Sequence, residues 1–179
     1  EGIEDEELEA EVVDTLEAAL DSLDGTLEAD GRPMVCQNAW EDAVGRFTHT
    51  TATFLEAYSA LAATDLDIAD HAHEQATRVY EAINHLWLED RGIFALREHG
   101  GGGLDRRADS ATLALIGAHR AYSKIEAVDD YRLDQLDSHT HTIIKALWHD
   151  PEASDIAGLF RYEGDGWRQA HQDHEKIWA

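Results

Sequence analysis

Apolar residues recur at helical spacing along five stretches of the chain. From about Ile3 to Leu23, the side chains of Leu8, Val12, Leu16, Leu20 and Leu23 fall on one face, and Gly25 provides the stop. A second helix is predicted from about Thr48 to Ala63, with Leu55, Tyr58, Leu61 and Ala62 inward. A third starts near Asp67, carries Ile68, Ala72, Ala76, Val79, Tyr80, Ile83 and Trp87, and ends before Gly92. The fourth spans about Asp109 to Lys124 with Leu113 and Ile116 inward. The fifth runs from about Leu133 through Leu136, Ile143 and Ile144 to Leu147, where Pro151 bars its continuation. A long loop from His149 to Gln172 precedes a last helical stretch, for which Asp173 is the candidate cap.

The segments between helices are polar and long. Gly92-Ile93-Phe94-Ala95-Leu96-Arg97 is short and extended, and the run Gly100-Gly101-Gly102-Gly103 must be loop. No Gly-Lys-Ser/Thr follows that run, so it is not a phosphate loop. Strand signals are almost absent, so the expected class is all-α, built from stacked helix hairpins. The length suits one domain, and 43% apolar residues suffice for a core.

Charge changes the picture more than size does. The chain holds 14 Lys+Arg against 38 Asp+Glu, a net charge of −24, and only Lys124, Lys145 and Lys176 are lysines. The acids are spread over every predicted helix, which argues against an acidic binding tail. Such a field repels phosphate backbones, so nucleic acid is excluded as a partner. The composition fits adaptation to high salt, where a Debye length of about 3 Å at about 1 M screens self-repulsion. A lone Cys36 rules out an internal disulfide framework and fits a reducing compartment, with a cytoplasmic location expected, or an inert thiol. No apolar run is long enough to span a membrane. The chain begins at Glu1 without Met and stops within the helical pattern Glu175-Lys176-Ile177-Trp178-Ala179, as an internal piece of a longer protein would.

Three constellations carry candidate chemistry. Trp40-Glu41-Asp42 places an indole beside two carboxylates in a short non-helical segment. A carboxyl desolvated against an indole has its pKa raised, as a general acid near neutral pH requires, while a solvated neighbour stays ionised. The bland alternative is an aromatic anchor with two solvated acids. In Leu159-Phe160-Arg161-Tyr162-Glu163-Gly164-Asp165, an Arg with a planar fork of donors sits beside an aromatic that could stack on a sugar. The alternative is a loop Arg paired with a nearby carboxylate. In Arg106-Arg107-Ala108-Asp109-Ser110, Asp109 or Ser110 is expected to be a helix cap. Of the 11 histidines, the pairs His71/His73 and His139/His141 lie two apart and do not share a helix face. His171 and His174 could share one, but no thiolate or HExxH pattern accompanies them, so neither metal nor cofactor is expected.

In their order, these pieces resemble glycoside hydrolase family 15, the glucoamylase-like enzymes. The resemblance covers most of the chain. It rests on Trp40-Glu41-Asp42 with Gly45-Arg46-Phe47-Thr48, on Gly92-Ile93-Phe94, and on Asp109-Ser110-Ala111-Thr112-Leu113. Gly158-Leu159-Phe160-Arg161-Tyr162 with Asp165 and the closing Glu175-Lys176-Ile177-Trp178 complete it. It implies an (α/α)6 toroid, of which residues 1–179 would be a central part of one catalytic domain, and inverting hydrolysis of terminal α-glucosidic bonds. The substrate implied is an α-glucan or α-glucoside of maltose, dextran or trehalose type. The resemblance makes Glu41 the general acid and Trp40 part of the pocket wall. Asp42 stands where the family has a second Glu that contacts the sugar. Arg161 matches the Arg that holds the sugar, Asp165 an acid of the same loop, and Tyr162 lies beside them as a binding residue.

Two departures accompany the match. Asn38 stands where an Asp is frequent, and the base that activates water, roughly 6.5–9.5 Å from the acid in inverting enzymes, would lie beyond Ala179. Were the base inside the chain, Glu163 and Glu175 would be the first candidates. The reading from a different class is a non-enzymatic helical-repeat binding or assembly module, with Trp40 and Trp167 as ordinary anchors.

Overall fold

The computed structural model describes residues 6–41, 43–149 and 157–165. Five α-helices are found among them: α1 (Glu6–Asp24), α2 (Thr48–Ala62), α3 (Ala69–Ala82), α4 (Ala114–Tyr122) and α5 (Asp130–Leu147). Helix is the dominant secondary structure among the described residues, so the helical expectation holds for most of them. The expected near-absence of strands does not. Small antiparallel sheets join the helices, and the closing helical stretch with Asp173 lies outside the described residues.

The largest sheet has four strands in sequence order: β1 (Cys36–Gln37), β2 (Val44–Phe47), β5 (Arg97–Glu98) and β6 (Leu104–Asp105). Two further pairs join β3 (Trp87–Leu88) to β4 (Ile93–Phe94) and β7 (Trp148–His149) to β8 (Gly158–Leu159). Seven of these eight strands are two residues long, too short to show a period-two pattern; they form because interhelical loops lie against one another. Gly45 permits the close approach of β2 to β5, since a Cβ there would meet the Glu98 carbonyl oxygen at 2.9 Å. Gly92, at φ +63°, turns the chain between β3 and β4. That turn ends the third helical region earlier than expected: a 3-10 turn over Ile83–Leu86 follows α3, and Trp87 pairs with Phe94 in the strand ladder.

The main core lies around α2, which packs against both α3 and α4. Ala52, Leu55 and Tyr58 of α2 are fully buried, as are Ala72, Ala76 and Val79 of α3 and Leu115 and Ala118 of α4. The alanines let the helix axes approach closely, while Leu55 and Tyr58 fill the space between. Ile116, expected inward, is instead exposed, and so are Leu8 and Val12 at the start of α1. On α4 the inward stripe is Leu115, Ala118, His119 and Tyr122, one position out of phase with the sequence reading. On α5 it is Leu136, His139, Ile143 and Leu147, with Leu133 and Ile144 outside.

A second, smaller core gathers Leu88, Ile93, Ala95, Ala108, Ile143 and Leu147, with Leu159 and Phe160 packed on it. It fastens the loops after α3 and α5 together, and those loops carry the candidate site. Asp109 caps the 3-10 turn Ser110–Leu113 that leads into α4, its carboxylate accepting from the Ala111 amide at 2.9 Å.

Candidate functional site

The Trp40 segment is a tight turn ahead of β2. The Glu41 amide donates to the Asn38 carbonyl at 3.1 Å, and the Asn38 amide donates to Ala43 O at 3.1 Å. Asn38 is buried, and its side-chain oxygen accepts from the Ala43 amide, a task an Asp in its place would perform equally well. The Gln37 side chain donates to the Glu41 carbonyl at 2.8 Å. These bonds hold Glu41 at φ 58°, and it is the one non-glycine residue with positive φ among those described. Left-handed backbone is uncommon outside Gly, Asn and Asp and tends to mark sites where the fold aims a side chain. Glu41 is exposed, so the expected desolvation against Trp40 is not what surrounds it in this structure. Asp42 lies outside the described residues.

Trp40 faces away from that turn and into the loops of the second core. Its indole N–H donates to Asp109 Oδ1 at 3.1 Å, across 69 positions of sequence. Asp109, buried at 3% exposure, thereby serves both the helix cap expected of it and the indole. The segment around Asp109 pairs with the Arg161 loop in strand fashion. Asp109 bridges Tyr162, the Ser110 amide donates to Arg161 O at 2.8 Å, and the Glu163 amide donates to Ala108 O at 2.9 Å.

Arg161 is buried there. Its Nε and Nη2 donate to the two oxygens of Asp165 at 2.7 and 2.5 Å, with both side chains no more than 6% exposed. The guanidinium carbon lies 5.8 Å from the Trp40 ring centre and 5.3 Å from that of Tyr162, both within cation–π range. Three of the expected binding residues, Trp40, Arg161 and Tyr162, thus meet in one place, with Asp165 behind them. The pairing with a nearby carboxylate expected of a loop Arg is thus observed, and aromatic rings flank the guanidinium as well.

Other charges close around this group in pairs. Arg91 reaches Glu163 at 3.2 Å, Arg106 reaches Asp90, and Arg107 binds Asp105 through Nε and Nη2 at 2.9 and 2.7 Å. That guanidinium holds the Asp105 carboxyl below its ordinary range, against the upward push of burial. Glu163 also accepts from the Ala108 amide, so it serves as a structural acceptor within the loop. Glu175, Trp167, His171 and His174 lie outside the described residues. Among the described residues no group of three or more His, Cys, Asp or Glu is placed to hold a metal ion.

Sequence reasoning missed Arg107 and the second partner of Asp109. A signal existed for both: Arg107 and Asp109 are two apart, so in an extended segment they share a face. No match to the chain emerges from protein-family models, curated proteins or solved structures.

Proposed function

We propose that this chain is the acid-bearing part of an inverting glycoside hydrolase of the family 15 type, acting on terminal α-glucosidic bonds of a neutral glucan or glucoside. The observation that carries this reading is convergence. Three segments singled out separately in the sequence, around Trp40, Asp109 and Arg161, come together through the Trp40–Asp109 hydrogen bond, the Arg161–Trp40 stack and the Ser110–Arg161 backbone bond. Charge supports it too. Arg91, Arg106, Arg107 and Arg161 are each paired with a carboxylate, so the site's cations offer no unbalanced field to an anionic ligand, although the whole chain is strongly acidic.

In this mechanism Glu41 protonates the glycosidic oxygen as the bond breaks. A carboxylate outside the chain activates water on the opposite face. Trp40 forms part of the pocket wall. Arg161, fixed by Asp165 and stacked on Trp40, orients the sugar together with Tyr162, and Asp42 hydrogen-bonds it beside the acid. The helices around α2 would be hairpins of the (α/α)6 ring.

In the protein at its full natural length, Glu41→Gln should lower kcat on an oligosaccharide by about two to four orders of magnitude. An aryl glucoside with a good leaving group should recover part of that loss, because it needs less protonation. Near-wild-type kcat in Glu41→Gln would overturn the assignment. The segment 1–179 alone, lacking the base, should release no glucose. A second reading, a helical binding or assembly module, is favoured by a groove of about 600 Å³ between α4 and α5, lined by Ile116, Val128, Leu133 and Leu136. An inactive full-length protein would leave that reading standing.

A further inference from the structure

Helices α4 and α5 rest on different parts of the molecule. α4 packs along α2, whereas α5 lies against β4 and the 3-10 turn Ser110–Leu113. Between them runs the groove of about 600 Å³, within the size range of small-ligand sites. Its apolar lining, Ile116, Val128, Leu133 and Leu136, comes from both helices and their connection. Its polar residues divide into two kinds. Three of them are committed to the fold: His119 has both ring nitrogens engaged, with Leu115 O and with Arg132, while the Ser123 and Thr140 hydroxyls donate to Arg120 O and Leu136 O. The other two, Arg120 on α4 and Asp137 on α5, are exposed. Neither side chain has a hydrogen-bond or ion-pair partner among the described residues. Every other described arginine is held by a carboxylate or by neutral acceptors. With 38 acids to 14 bases, partners for a cation abound, so an arginine left unpaired in a groove is informative.

We infer that this groove binds a small zwitterion with an apolar body, a dipeptide of apolar residues with free ends, whose carboxylate meets Arg120 and whose ammonium meets Asp137. The two charges stand on opposite walls, so they select a ligand by the order of its own charges as well as by its apolar surface. A simple anion is disfavoured by Asp137 and by the field of a chain with net charge −24. A simple cation, which that field attracts everywhere, meets Arg120 here. A zwitterion brings no net charge into the field and answers both walls. The planar fork of Arg120 suits its carboxylate, and its apolar side chains cover Ile116 and Leu133, now 45% and 49% exposed. A second copy of the chain fits poorly: a groove cannot fill an identical groove, and two chains of this charge repel. The inference stands apart from the glycosidase reading.

The test is calorimetric titration of the protein at its full natural length with L-leucyl-L-leucine, its N-acetyl form and its amide. Salt is kept at about 0.2 M, where charge is only partly screened at contact distance. The free dipeptide should bind saturably. The N-acetyl form lacks the ammonium and the amide lacks the carboxylate, so each should bind about fivefold more weakly, as the loss of one exposed ion pair requires. Arg120→Gln should weaken the free dipeptide to the same extent without weakening the amide. Asp137→Asn should weaken it without weakening the N-acetyl form. Both residues are exposed and make no side-chain bonds among the described residues, so neither substitution disturbs the fold. Equal losses for all three ligands, or no loss in either variant, would overturn the inference. An absence of saturable binding would overturn it too, and would leave the groove to further chain or to a second copy. A protein that binds the dipeptide as described yet cleaves no glucoside would uphold this inference while overturning the glycosidase reading.

Discussion

Two arginines in this molecule are buried almost equally, Arg132 at 2% and Arg161 at 5% exposure, yet the fold treats their charges in opposite ways. Arg161 has a carboxylate gripping its edge and aromatics on its flanks. The partners that hold the Arg132 guanidinium are neutral: His119 Nε2 at 2.8 Å, Gln135 Oε1 at 3.1 Å, Asn84 Oδ1 at 2.8 Å and the Tyr80 carbonyl at 3.3 Å. Tyr80 and Phe94 stack on it from 4.5 and 5.8 Å, and burial pushes its pKa down. Arg132 is a cross-link, tying α5 to α4 and to the end of α3 through several weak bonds. Arg161 is instead ion-paired within its own loop, so that its charge is balanced by a carboxylate four residues away. Similar burial is thus met by neutral hydrogen-bond partners in one region and by an opposite charge in the other.

Substitution separates the two. Arg161→Met leaves the Asp165 carboxylate buried without its cation, which costs about 3–5 kcal/mol in local stability. The measurement is hydrogen exchange at the Ser110 and Glu163 amides, whose acceptors pin this loop to its neighbour. Adding Asp165→Leu should restore most of that protection, because the stranded charge is gone. Arg132→Met strands only neutral groups, so about 1–3 kcal/mol of global stability should be lost. No single second substitution should restore it, since the partners come from three elements. An absence of rescue by Asp165→Leu would show that Arg161 stabilises the loop mainly through contacts other than the ion pair.

Acid separates them next. His119 accepts from Arg132 on Nε2, so its Nδ1 carries the proton and donates to Leu115 O at 2.8 Å. His139 accepts the Phe94 amide on Nδ1 at 3.1 Å. Burial holds both imidazoles neutral, lowering each pKa to about 4. Unfolded imidazoles take up a proton near pH 6.5, so between about 6.5 and 4 the unfolded chain binds more protons. Stability is therefore complete above about pH 6.5 and falls as the pH drops toward 4, by up to about 1.4 kcal/mol per pH unit for each histidine. Asp105, held below its ordinary range by Arg107, keeps its own pair with Arg107 charged throughout that window; its contribution is lost only below the usual carboxylate range. Denaturant titrations of wild type and His119→Gln should converge as the pH falls from 7 to 4. Parallel curves would mean that the Arg132 cluster carries no acid sensitivity.

The sequence made the helices readable because apolar residues recur along each at helical spacing. The bounds expected for α2 fall within one residue of those observed, and α1 ends within one residue of the expected stop. It was misleading where a polar residue takes a core position. On α4 the stripe includes His119, and on α5 it includes Arg132, Gln135 and His139, so hydrophobicity alone rotated both helices and put Ile116 and Ile144 on the wrong side. A buried polar side chain satisfied by partners from other elements leaves no local mark. The candidate site divides the same way. Trp40, Asp109 and Arg161 could each be singled out by residue type and neighbours, and the cap at Asp109 was legible from its place before a helix. Their meeting was not, since it depends on pairing across 69 positions between Trp40 and Asp109 and 51 between Ser110 and Arg161.

Salt gives the smallest difference between the two regions, though it acts strongly on the molecule as a whole. With a net charge of −24, the thermal midpoint should rise steeply from low salt to about 1 M, where the Debye length is only about 3 Å and screening is nearly complete. That gain comes from exposed acids such as Glu9, Glu11, Asp14 and Glu17 along α1. Mobile ions reach the Arg161–Asp165 pair poorly, because its two side chains are 6% and 4% exposed and bonded at 2.5 to 2.7 Å. The destabilisation of the loop by Arg161→Met should therefore change by less than about 0.5 kcal/mol between 0.2 and 1 M salt, even as the midpoint climbs. A penalty that shrinks in step with added salt would show that solvent ions reach this pair and that it behaves as a surface salt bridge. It would then lack the rigidity needed to orient a sugar. A flat midpoint would carry the opposite lesson about the surface: self-repulsion would be too weak to matter, and the spread of acids would answer to something other than salt.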